Sequence, residues 1–256
     1  MNIIDDVEEA AAQLGALLKA STRLAVLTGA GASAASGVPT YRGAGGQWTR
    51  YDPAKYASID FFRKDPSYYW SFFRDERYPA LAKAGPNPVH EALAELERIG
   101  KLSTLVTQNI DGLHQAGGSK RVLEVHGNSR RFVCQACNAV HDFERVRALI
   151  DDQIPPACPD CGEQELRPDV VLFGEALPHD VLTAAFEEMS VADMIVVVGS
   201  SLVVHPAASL PLAGVQAGAK LIIMNIDPTP MDGIAQLVIR APADKVLPAA
   251  VERVKG

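Results

Sequence analysis

Four cysteines stand in two Cys-x-x-Cys pairs and could bind a metal ion. Cys134 and Cys137 form one pair, Cys158 and Cys161 form the other, and 20 residues separate the pairs. This spacing is typical of a zinc ribbon, in which four thiolates coordinate one zinc ion tetrahedrally. Two disulfides or a redox-active pair are the alternatives, but neither a secretion signal nor a strand leading into a helix accompanies the pairs. Because four cysteines leave no coordination position for water, we expect the zinc to be structural.

A glycine-rich stretch, residues 29–34, follows an apolar run and could bind a phosphate group. Gly29 and Gly31 would let the main chain turn tightly and approach a pyrophosphate. A tight structural turn is the alternative, because such a stretch alone is weak evidence. An ordinary dehydrogenase carries an acidic residue at the end of the next strand, about 20 residues on, whereas residues 36–43 are typical of a loop with no second strand. The stretch therefore predicts a nucleotide site of a different kind.

Polar residues follow two further apolar runs. Gln108, Asn109 and Asp111 come after one run, and His126 comes after the next. Ligand sites of α/β proteins lie at the carboxyl ends of strands, so these side chains are candidates for a binding site. Taken singly, Asn109 and Asp111 would be turn or cap residues and a histidine would be structural. An imidazole nevertheless suits a general base, because its pKa lies near working pH.

Short apolar runs alternate with amphipathic stretches along the chain. Runs rich in valine, isoleucine and leucine are typical of strands buried on both faces, so they predict a parallel sheet covered by helices. Residues 43–86, rich in aromatic side chains, and residues 128–167, with the four cysteines, break this rhythm. We expect both to form a smaller domain, with a ligand in the cleft between the domains. Predicted strands span residues 24–28, 103–107, 122–125, 194–198, 221–225 and 237–239, and predicted helices span 5–19, 88–99, 179–189 and 206–217.

Length and charge limit the classes of function. A chain of 256 residues is long enough for one α/β domain with an inserted module. Its formal charge of −7 argues against non-specific nucleic-acid binding. The N-terminus lacks the basic start and unbroken apolar core of a secretion signal, and glycines and prolines interrupt the uncharged residues 194–219. We therefore expect a cytoplasmic protein with no membrane span.

Several motifs, occurring together and in order, resemble those of the sirtuin family. Besides the cysteine module they are TGAGASAASGVPTYRG at 28–43, TQNIDGLH at 107–114, LEVHGN at 123–128, RPDVVLFGE at 167–175, VGSSLVVHP at 198–206 and MNIDP at 224–228. The resemblance covers roughly residues 20–247. It implies an α/β fold with a Rossmann-like parallel-sheet domain and a smaller inserted domain. The sheet domain would contain residues 1–42, 87–127 and 168–256, and the smaller domain would have a helical part at 43–86 and a four-cysteine zinc ribbon at 128–167.

The resemblance also implies that NAD is a co-substrate and that one structural zinc ion is bound. His126 occupies the family's catalytic position as general base, with His114 as second choice, and Asn109 is the other implied catalytic residue. Tyr41 stands where the family usually has phenylalanine. The implied NAD contacts are Gly29, Ala30, Gly31, Ala32, Ser33, Pro39, Tyr41, Arg42, Gln108, Asn109, Ile110, Asp111, Gly199, Ser200, Ser201, Asn225, Ile226, Asp227 and Ala243.

The activity implied by the resemblance is NAD-dependent protein-lysine deacetylation, or more broadly deacylation. Such an enzyme consumes NAD and releases nicotinamide, O-acyl-ADP-ribose and free lysine. Its partners would be acyl-lysine proteins or peptides, and we expect a monomer with no nucleic-acid or membrane partner. Val170 is expected to be a core residue, whereas the implied substrate contacts are Val171, Phe173, Gly174, Glu175 and Val204.

The resemblance also bears on which acyl group the enzyme would prefer. Some sirtuins that remove succinyl or malonyl groups carry a Tyr-x-x-Arg pair that binds the acid. Aligning this chain on Trp70 puts Phe73 and Glu76 at those two positions. Because Glu76 would repel an anion, we expect poor activity on acidic acyl groups.

Two other functions remain open. The first is a protein ADP-ribosyltransferase on the same fold, which would share the NAD site. The second is a non-enzymatic zinc-ribbon module that binds nucleic acid or protein. The arginines near the cysteines favour the second, but acidic residues dilute them and the nucleotide motifs stay unexplained.

Overall fold

The larger part of the molecule is built on a seven-stranded parallel sheet. The computed structural model describes residues 2–42 and 45–255, so Gly43, the last residue of the first sirtuin-like motif, lies outside the described part. The strand order is β1-β10-β9-β8-β2-β3-β4. The strands are β1 (Ile3–Ile4), β2 (Leu24–Thr28), β3 (Leu102–Thr107), β4 (Val122–Glu124), β8 (Met194–Val198), β9 (Lys220–Met224) and β10 (Leu237–Ile239).

The central strands β2 and β8 explain why the sequence reads as continuous apolar runs. Both are buried at every residue, and they pair in parallel along their whole length. Leu24 and Val26 pack into the core on one face of the sheet, while Ala25 and Leu27 pack into the core on the other. The strand order reverses between β2 and β8, so the crevice of this parallel sheet opens beyond their carboxyl ends.

Helices cover both faces of this sheet. On one face α1 packs against α11, which also contacts α6, and on the other face α9 packs against α10. Capping sets where two of them begin: Asp6 accepts a hydrogen bond from the amide of Glu9, and Asn87 accepts one from the amide of Val89. These helices are α1 (Val7–Ala20), α6 (Pro88–Arg98), α9 (His179–Ser190), α10 (Leu210–Gln216) and α11 (Ala243–Lys255).

A smaller module with its own core lies beside the large sheet. Its three-stranded antiparallel sheet has the order β6-β5-β7, with β5 (Gly127–Cys134), β6 (Val140–Asp142) and β7 (Leu166–Val170). Trp70 stacks on Phe132 with ring centroids 5.8 Å apart, which joins the aromatic segment to this sheet. The helices are α2 (Pro53–Tyr56), α3 (Ile59–Lys64), α4 (Ser67–Phe72), a π-helical turn (Phe73–Arg77), α5 (Tyr78–Lys83) and α8 (Phe143–Asp152).

Short helices complete the described part of the chain. Helix α7 (Leu113–Ala116) follows β3, and 3-10 helices span Ala30–Ser36, Gln47–Thr49, Ala207–Ser209 and Asp232–Ile234. None of the helices in residues 2–42 and 45–255 is long and apolar enough to cross a membrane.

The predicted α/β class, with a parallel sheet and a smaller cysteine-bearing module, is confirmed. All six predicted strands exist, with ends shifted by one residue at most. The predicted helix at 206–217 begins instead as a 3-10 turn at Ala207, and the predicted helix at 5–19 begins at Val7 because Asp6 is its cap. Strands β1, β5, β6 and β7 and helices α7, α8 and α11 were not among the predicted elements. The residue bounds assigned to the two domains stay a prediction.

Candidate active site

A cavity of about 620 Å³ lies at the carboxyl ends of the central strands. This volume is in the range of small-molecule sites, about 300–1,000 Å³. Its walls bring together residues that follow β2, β3, β8 and β9 with residues of the smaller module. Of the residues that the sequence suggested, those lining it are Gly29, Ala30, Gly31, Tyr41, Arg42, Gln108, Asn109, Ile110, His126, Val171, Phe173, Gly174, Glu175, Gly199, Ser200, Ser201, Val204, Asn225, Ile226, Asp227 and Ala243.

The remaining suggested residues lie elsewhere. Ser33, Pro39 and Asp111 line a smaller cavity that shares Asn109 and Ile110 with the main one. Ala32 is fully buried and lines neither cavity. Val170, expected in the core, belongs to the core of the smaller module and also touches the main cavity.

Glycines join the loops that follow β2 and β8. A Cβ atom at Gly29 would lie 2.7 Å from the carbonyl oxygen of Gly199, and one at Gly199 would lie 2.3 Å from the nitrogen of Ala32. Gly199 also has a positive φ of 65°, which disfavours any other residue. Only main chain therefore fits between the two loops, and this main chain lines the cavity as a glycine cradle. This cradle suits a bulky polar group such as a diphosphate, as the glycine spacing predicted.

A buried hydrogen-bond network holds Asn109 and Asp111 in place. The Asn109 amide donates to the carbonyl oxygen of Gly29 at 3.0 Å and to the Ser33 hydroxyl at 3.1 Å. The Ser33 hydroxyl donates to Asp111 at 2.7 Å, and Asp111 also accepts a bond from the Leu113 amide at 2.9 Å. Because Asn109 and Asp111 are almost fully buried and paired, their orientation is fixed before a ligand arrives.

His114, the second candidate for a base, lies behind this network and does not line the cavity. Its Nε2 atom is 2.8 Å from the Thr28 hydroxyl, and the side chain is only 1% exposed. Burial lowers the pKa of His114 to about 3, with a further contribution from the neighbouring His90. The imidazole is therefore neutral in the folded protein at pH 7 and out of reach of a ligand in the cavity.

His126 has the geometry of a general base. Its Nδ1 atom lies 2.9 Å from the carbonyl oxygen of Gln108. A carbonyl oxygen can only accept a hydrogen bond, so Nδ1 carries the proton and Nε2 keeps a free electron pair. Burial lowers the pKa of His126 below its usual range, against the opposing effect of the Gln108 carbonyl. The base form therefore dominates at neutral pH.

The segment 171–175 forms one rim of the cavity. Its main chain is anchored by the amide of Val171, which donates to the carbonyl oxygen of His126 at 2.9 Å. Arg167 donates to both carboxylate oxygens of Glu175, at 2.7 and 2.8 Å. Phe173 is 40% exposed and lies edge-on to Trp48, so an apolar surface faces the opening.

The structure places Glu76 away from the cavity, and the expected poor activity on acidic acyl groups stays a prediction. Glu76 does not line the cavity, because its carboxylate accepts hydrogen bonds from Arg50 at 3.0 Å and from the Tyr51 hydroxyl at 2.6 Å. Phe73 packs instead in the core of the smaller module. The π-helical turn over Phe73–Arg77 adds one residue to the helical repeat. The residue brought to the cavity wall is consequently Arg77.

Arg77 and several neighbours were missed from the sequence. The aromatic segment 43–86 was recognised as part of a smaller domain, and only Phe73 and Glu76 were assigned a position near the acyl group within it. Helical spacing alone would not have found Arg77, because the π-helical turn changes the register. The other lining residues not suggested by the sequence are Ala34, Thr40, Trp48, Ala57, Leu172, Leu177, His205, Met224 and Ala241.

The four cysteines form a compact cluster in the smaller module. Their sulfur atoms all lie within 4.8 Å of one another, and Cys134–Cys161 and Cys137–Cys158 are 3.7 and 3.8 Å apart. These distances are far from the bond length of a disulfide, about 2.05 Å. They match the edge of a tetrahedron with Zn–S bonds of about 2.3 Å, which is about 3.8 Å. The cluster therefore fits one closed structural zinc site.

A family model and two archaeal proteins match this chain over most of its length. The model of the Sir2 family matches residues 29–206. The chain is 45% identical over 245 residues to an NAD-dependent protein deacetylase of Sulfurisphaera tokodaii, covering 95% of this chain and 96% of that protein. It is 45% identical over 251 residues to NAD-dependent protein deacylase 2 of Archaeoglobus fulgidus, covering 98% and 97%.

Solved structures of the same family are also similar. One Sir2 enzyme superimposes with a TM-score of 0.88 at 44% identity, covering 97% of this chain and 98% of that one. A Sir2 protein in complex with a deacetylated p53 peptide and 3′-O-acetyl ADP-ribose gives a TM-score of 0.89 at 39% identity, covering 94% and 97%. The family match, the relatives and the fold agree, and the chain belongs to the Sir2 family.

Proposed function

We propose that this protein is an NAD-dependent protein-lysine deacylase. It consumes NAD and an acyl-lysine peptide and releases nicotinamide, O-acyl-ADP-ribose and free lysine. The observation that carries the proposal is the position of His126 in the wall of the cavity that the glycine cradle also lines. Its Nδ1–H donates to the Gln108 carbonyl, which leaves Nε2 free to act as a base. The names of the relatives, protein deacetylases and deacylases that depend on NAD, support the same activity.

NAD fits the residues of the main cavity. The main chain at Gly29, Gly31 and Gly199 lines the cavity and can approach the diphosphate, with Arg42 available for its charge. Asn225 and Asp227 line the cavity after β9 and offer an amide and a carboxylate to ribose hydroxyls. Asn109, which lines both cavities, and Asp111, which lines the adjoining smaller one, can pair with the nicotinamide carboxamide. When bound, NAD supplies the ribose that accepts the acyl group, with nicotinamide as the leaving group.

The chain's own contribution to the chemistry is proton transfer and positioning. His126 accepts a proton at Nε2 from a hydroxyl group, while the Gln108 carbonyl keeps the ring in the required orientation and tautomer. The Gln108 side chain donates to the Ser200 hydroxyl at 2.9 Å, which ties the base to the loop after β8. Tyr41, stacked on Trp48 with centroids 5.3 Å apart, shields the opening from water with its ring.

The acyl-lysine peptide binds along the rim. An extended peptide adds main-chain hydrogen bonds to segment 171–175 on one side and to Val204 on the other, which gives affinity without strict sequence preference. Val171 and Phe173 enclose the aliphatic lysine stem, and Gly174 leaves space for the peptide main chain. The zinc ion holds the shape of the smaller module and takes no part in the reaction.

A peptide assay tests the proposal directly. An acetyl-lysine peptide is incubated with and without NAD, and nicotinamide, free-lysine peptide and acyl-ADP-ribose are followed by mass spectrometry. We expect the three products in equal amounts and only when NAD is present. A stable ADP-ribosyl adduct on the peptide, without loss of the acetyl group, would favour the ADP-ribosyltransferase instead. Full deacetylation without NAD would exclude the proposal.

Two further aspects of the proposal remain predictions from the sequence. The first is the division into a sheet domain and a smaller zinc-bearing domain at the bounds given above. The second is that the enzyme works as a cytoplasmic monomer without nucleic-acid or membrane partners. Size-exclusion chromatography with light scattering tests the monomer.

A further inference from the structure

Arg240 lies behind residues 225–232, a segment after β9 that is here named the ribose loop. It directly follows β10, which pairs in parallel with β9, so it stands beside Asn225 at the carboxyl end of β9. The main-chain amide of Asn225 donates to the carbonyl oxygen of Ile239 at 3.1 Å, which continues this register. The Arg240 side chain is 15% exposed and does not line the cavity, whereas Asn225 and Asp227 do. Arg240 can therefore act on a ligand in the cavity only through the ribose loop.

The strand order indicates which half of the dinucleotide the ribose loop faces. The glycine cradle proposed for the diphosphate follows β2 and β8 in the middle of the sheet. Asn109 and His126, proposed for the nicotinamide end, follow β3 and β4 on one side of the cradle, and the ribose loop follows β9 on the other side. With the reacting ribose near His126, the ribose loop faces the ribose of the adenosine half.

The guanidinium group of Arg240 holds both ends of the ribose loop. It donates to the carbonyl oxygen of Asn225, to that of Asp227 at 2.9 Å and to the carboxylate of Asp232. Asp232 in turn accepts bonds from the main-chain amide and the hydroxyl group of Thr229, at 3.1 and 2.8 Å. The planar group with its five N–H donors suits several partners at once, whereas a lysine would offer a single point charge.

The ribose loop offers two hydrogen-bond acceptors to a ligand. The side-chain amide of Asn225 donates to the carbonyl oxygen of Asp227 at 2.8 Å, which directs Nδ2 into the loop and leaves Oδ1 as an acceptor. Asp227 is exposed, lines the cavity and adds a carboxylate as the second acceptor. The ribose of the adenosine half has two free hydroxyl groups, and each can donate one hydrogen bond. The number of acceptors therefore matches the number of donors.

On this basis, and resting on the proposed function, we propose that Arg240 is a positioning residue for the adenosine ribose of NAD. Its guanidinium group, paired with Asp232, holds the main chain of Asn225 and Asp227 so that their side chains are oriented before the dinucleotide arrives. Such preorganisation strengthens binding, because the loop need not be ordered by the ligand. Arg240 therefore acts on dinucleotide binding and not on the proton transfer at His126.

Matched dinucleotides test the proposal. NAD is compared with two analogues that lack the 2′- or the 3′-hydroxyl group of the adenosine ribose and keep the reacting ribose intact. With the wild-type protein and an acetyl-lysine peptide, kcat/KM for NAD should exceed that for each analogue by about tenfold. In Arg240→Met both ratios should fall to about one, because the KM for NAD rises about tenfold while kcat and the peptide KM stay nearly constant. Arg240→Lys, which keeps the charge but not the fork, should give intermediate ratios.

Arg98→Met is the matched control. Arg98 is exposed, donates to both carboxylate oxygens of Glu95 at 2.6 and 2.7 Å, and does not line the cavity. Both ratios should keep their wild-type values in this variant. If Arg240→Met does not fold, the same ratios in Arg240→Lys and in Asp232→Asn, which removes the charge paired with Arg240, decide the question.

Two results would overturn the assignment. Wild-type ratios of about one for both analogues would show that the ribose loop does not hold the hydroxyl groups. Unchanged ratios in folded Arg240 variants would show that Arg240 acts on stability alone, even if urea unfolding had changed. In either case removal of an acetyl group that requires NAD would leave the proposed function standing, whereas no NAD-dependent loss of the acetyl group would reject that function itself.

Discussion

The amide of Gly31 donates a hydrogen bond to the carbonyl oxygen of Gly199 at 2.8 Å. This bond joins the loops after β2 and β8 at the point where the strand order of the sheet reverses. The neighbouring amide of Gly29 donates to the carbonyl oxygen of Val198 at 2.9 Å, so the two loops form one rigid floor. The nucleotide cradle and the packing of the central strands therefore depend on the same glycines.

Gly199→Ala should strongly destabilise the protein. The added Cβ would meet the Ala32 nitrogen at 2.3 Å, and the positive φ of Gly199 adds backbone strain. Gly218→Ala is the control, since Gly218 also has a positive φ but nothing lies within 4 Å of its added Cβ. Urea unfolding should show a loss of about 1–2 kcal/mol for Gly218→Ala and a clearly larger loss for Gly199→Ala. Equal losses would mean that the close approach is unimportant.

Removal of zinc should unfold the smaller module. Structural zinc sites contribute folding free energy directly, so chelation should lower Tm by about 10 °C or more. Cys161→Ser removes one of the four clustered thiols and should abolish stoichiometric zinc, measured by elemental analysis. Re-addition of zinc should restore Tm in the wild type only. A metal-free wild-type protein with an unchanged Tm would contradict the assignment.

His114 should make the protein sensitive to mild acid. Its pKa is lowered from 6.5 to about 3 in the folded state, so the unfolded chain binds a proton first as the pH falls. The stability that His114 provides is complete above pH 6.5 and is lost below it, at up to about 1.4 kcal/mol per pH unit. Urea unfolding at pH 7, 6 and 5 measures this effect, above the range in which the Asp193 carboxyl, with its pKa lowered to about 2, is protonated.

The variant His114→Asn should show a smaller loss of stability over the same pH steps. His90, whose pKa burial also lowers, continues to contribute in both proteins. The exposed His179 provides the control variant, His179→Asn. If His114→Asn and the wild type lost stability equally between pH 7 and 5, the buried neutral imidazole would not explain the acid sensitivity.

Glu175→Gln should weaken peptide binding more than NAD binding. Glu175 accepts two bonds from Arg167 and one from the Leu172 amide at 2.8 Å, which hold the rim of the cavity. Loss of the charge should raise the peptide KM several-fold, equivalent to about 1 kcal/mol. Glu144→Gln, in the exposed pair with Arg147 at 3.9 Å, is the control. An unchanged peptide KM in Glu175→Gln would show that the rim does not need this pair.

The sequence predicted the large sheet well, because β2 and β8 are buried on both faces and must be continuously apolar. It also predicted most of the cavity, because ligand-binding residues follow the ends of those strands. Strand β1 was missed because it has only two residues, and α11 was missed because Pro248 lies within it. Burial of Val246, Leu247 and Val251 stabilises that helix despite the proline.

The position of Arg77 in the cavity wall could not be predicted from the sequence. A residue's face on a helix can be predicted only while the repeat is regular, and the π-helical turn shifts the repeat by one residue. Glu76 therefore takes the position outside the cavity and Arg77 the position inside. Pairing of Glu76 with Arg50 and Tyr51, which lie 26 and 25 residues away in sequence, depends on the folded module and has no local signal.

The most direct test of the account is the effect of His126→Ala on deacylation of an acetyl-lysine peptide. Circular dichroism and calorimetric titration with NAD should first show that the variant is folded and binds the dinucleotide. Because His126 supplies the free electron pair at Nε2, kcat/KM should fall by about 10²–10⁴-fold. A folded His126→Ala variant that deacylates within tenfold of the wild-type rate would contradict the account.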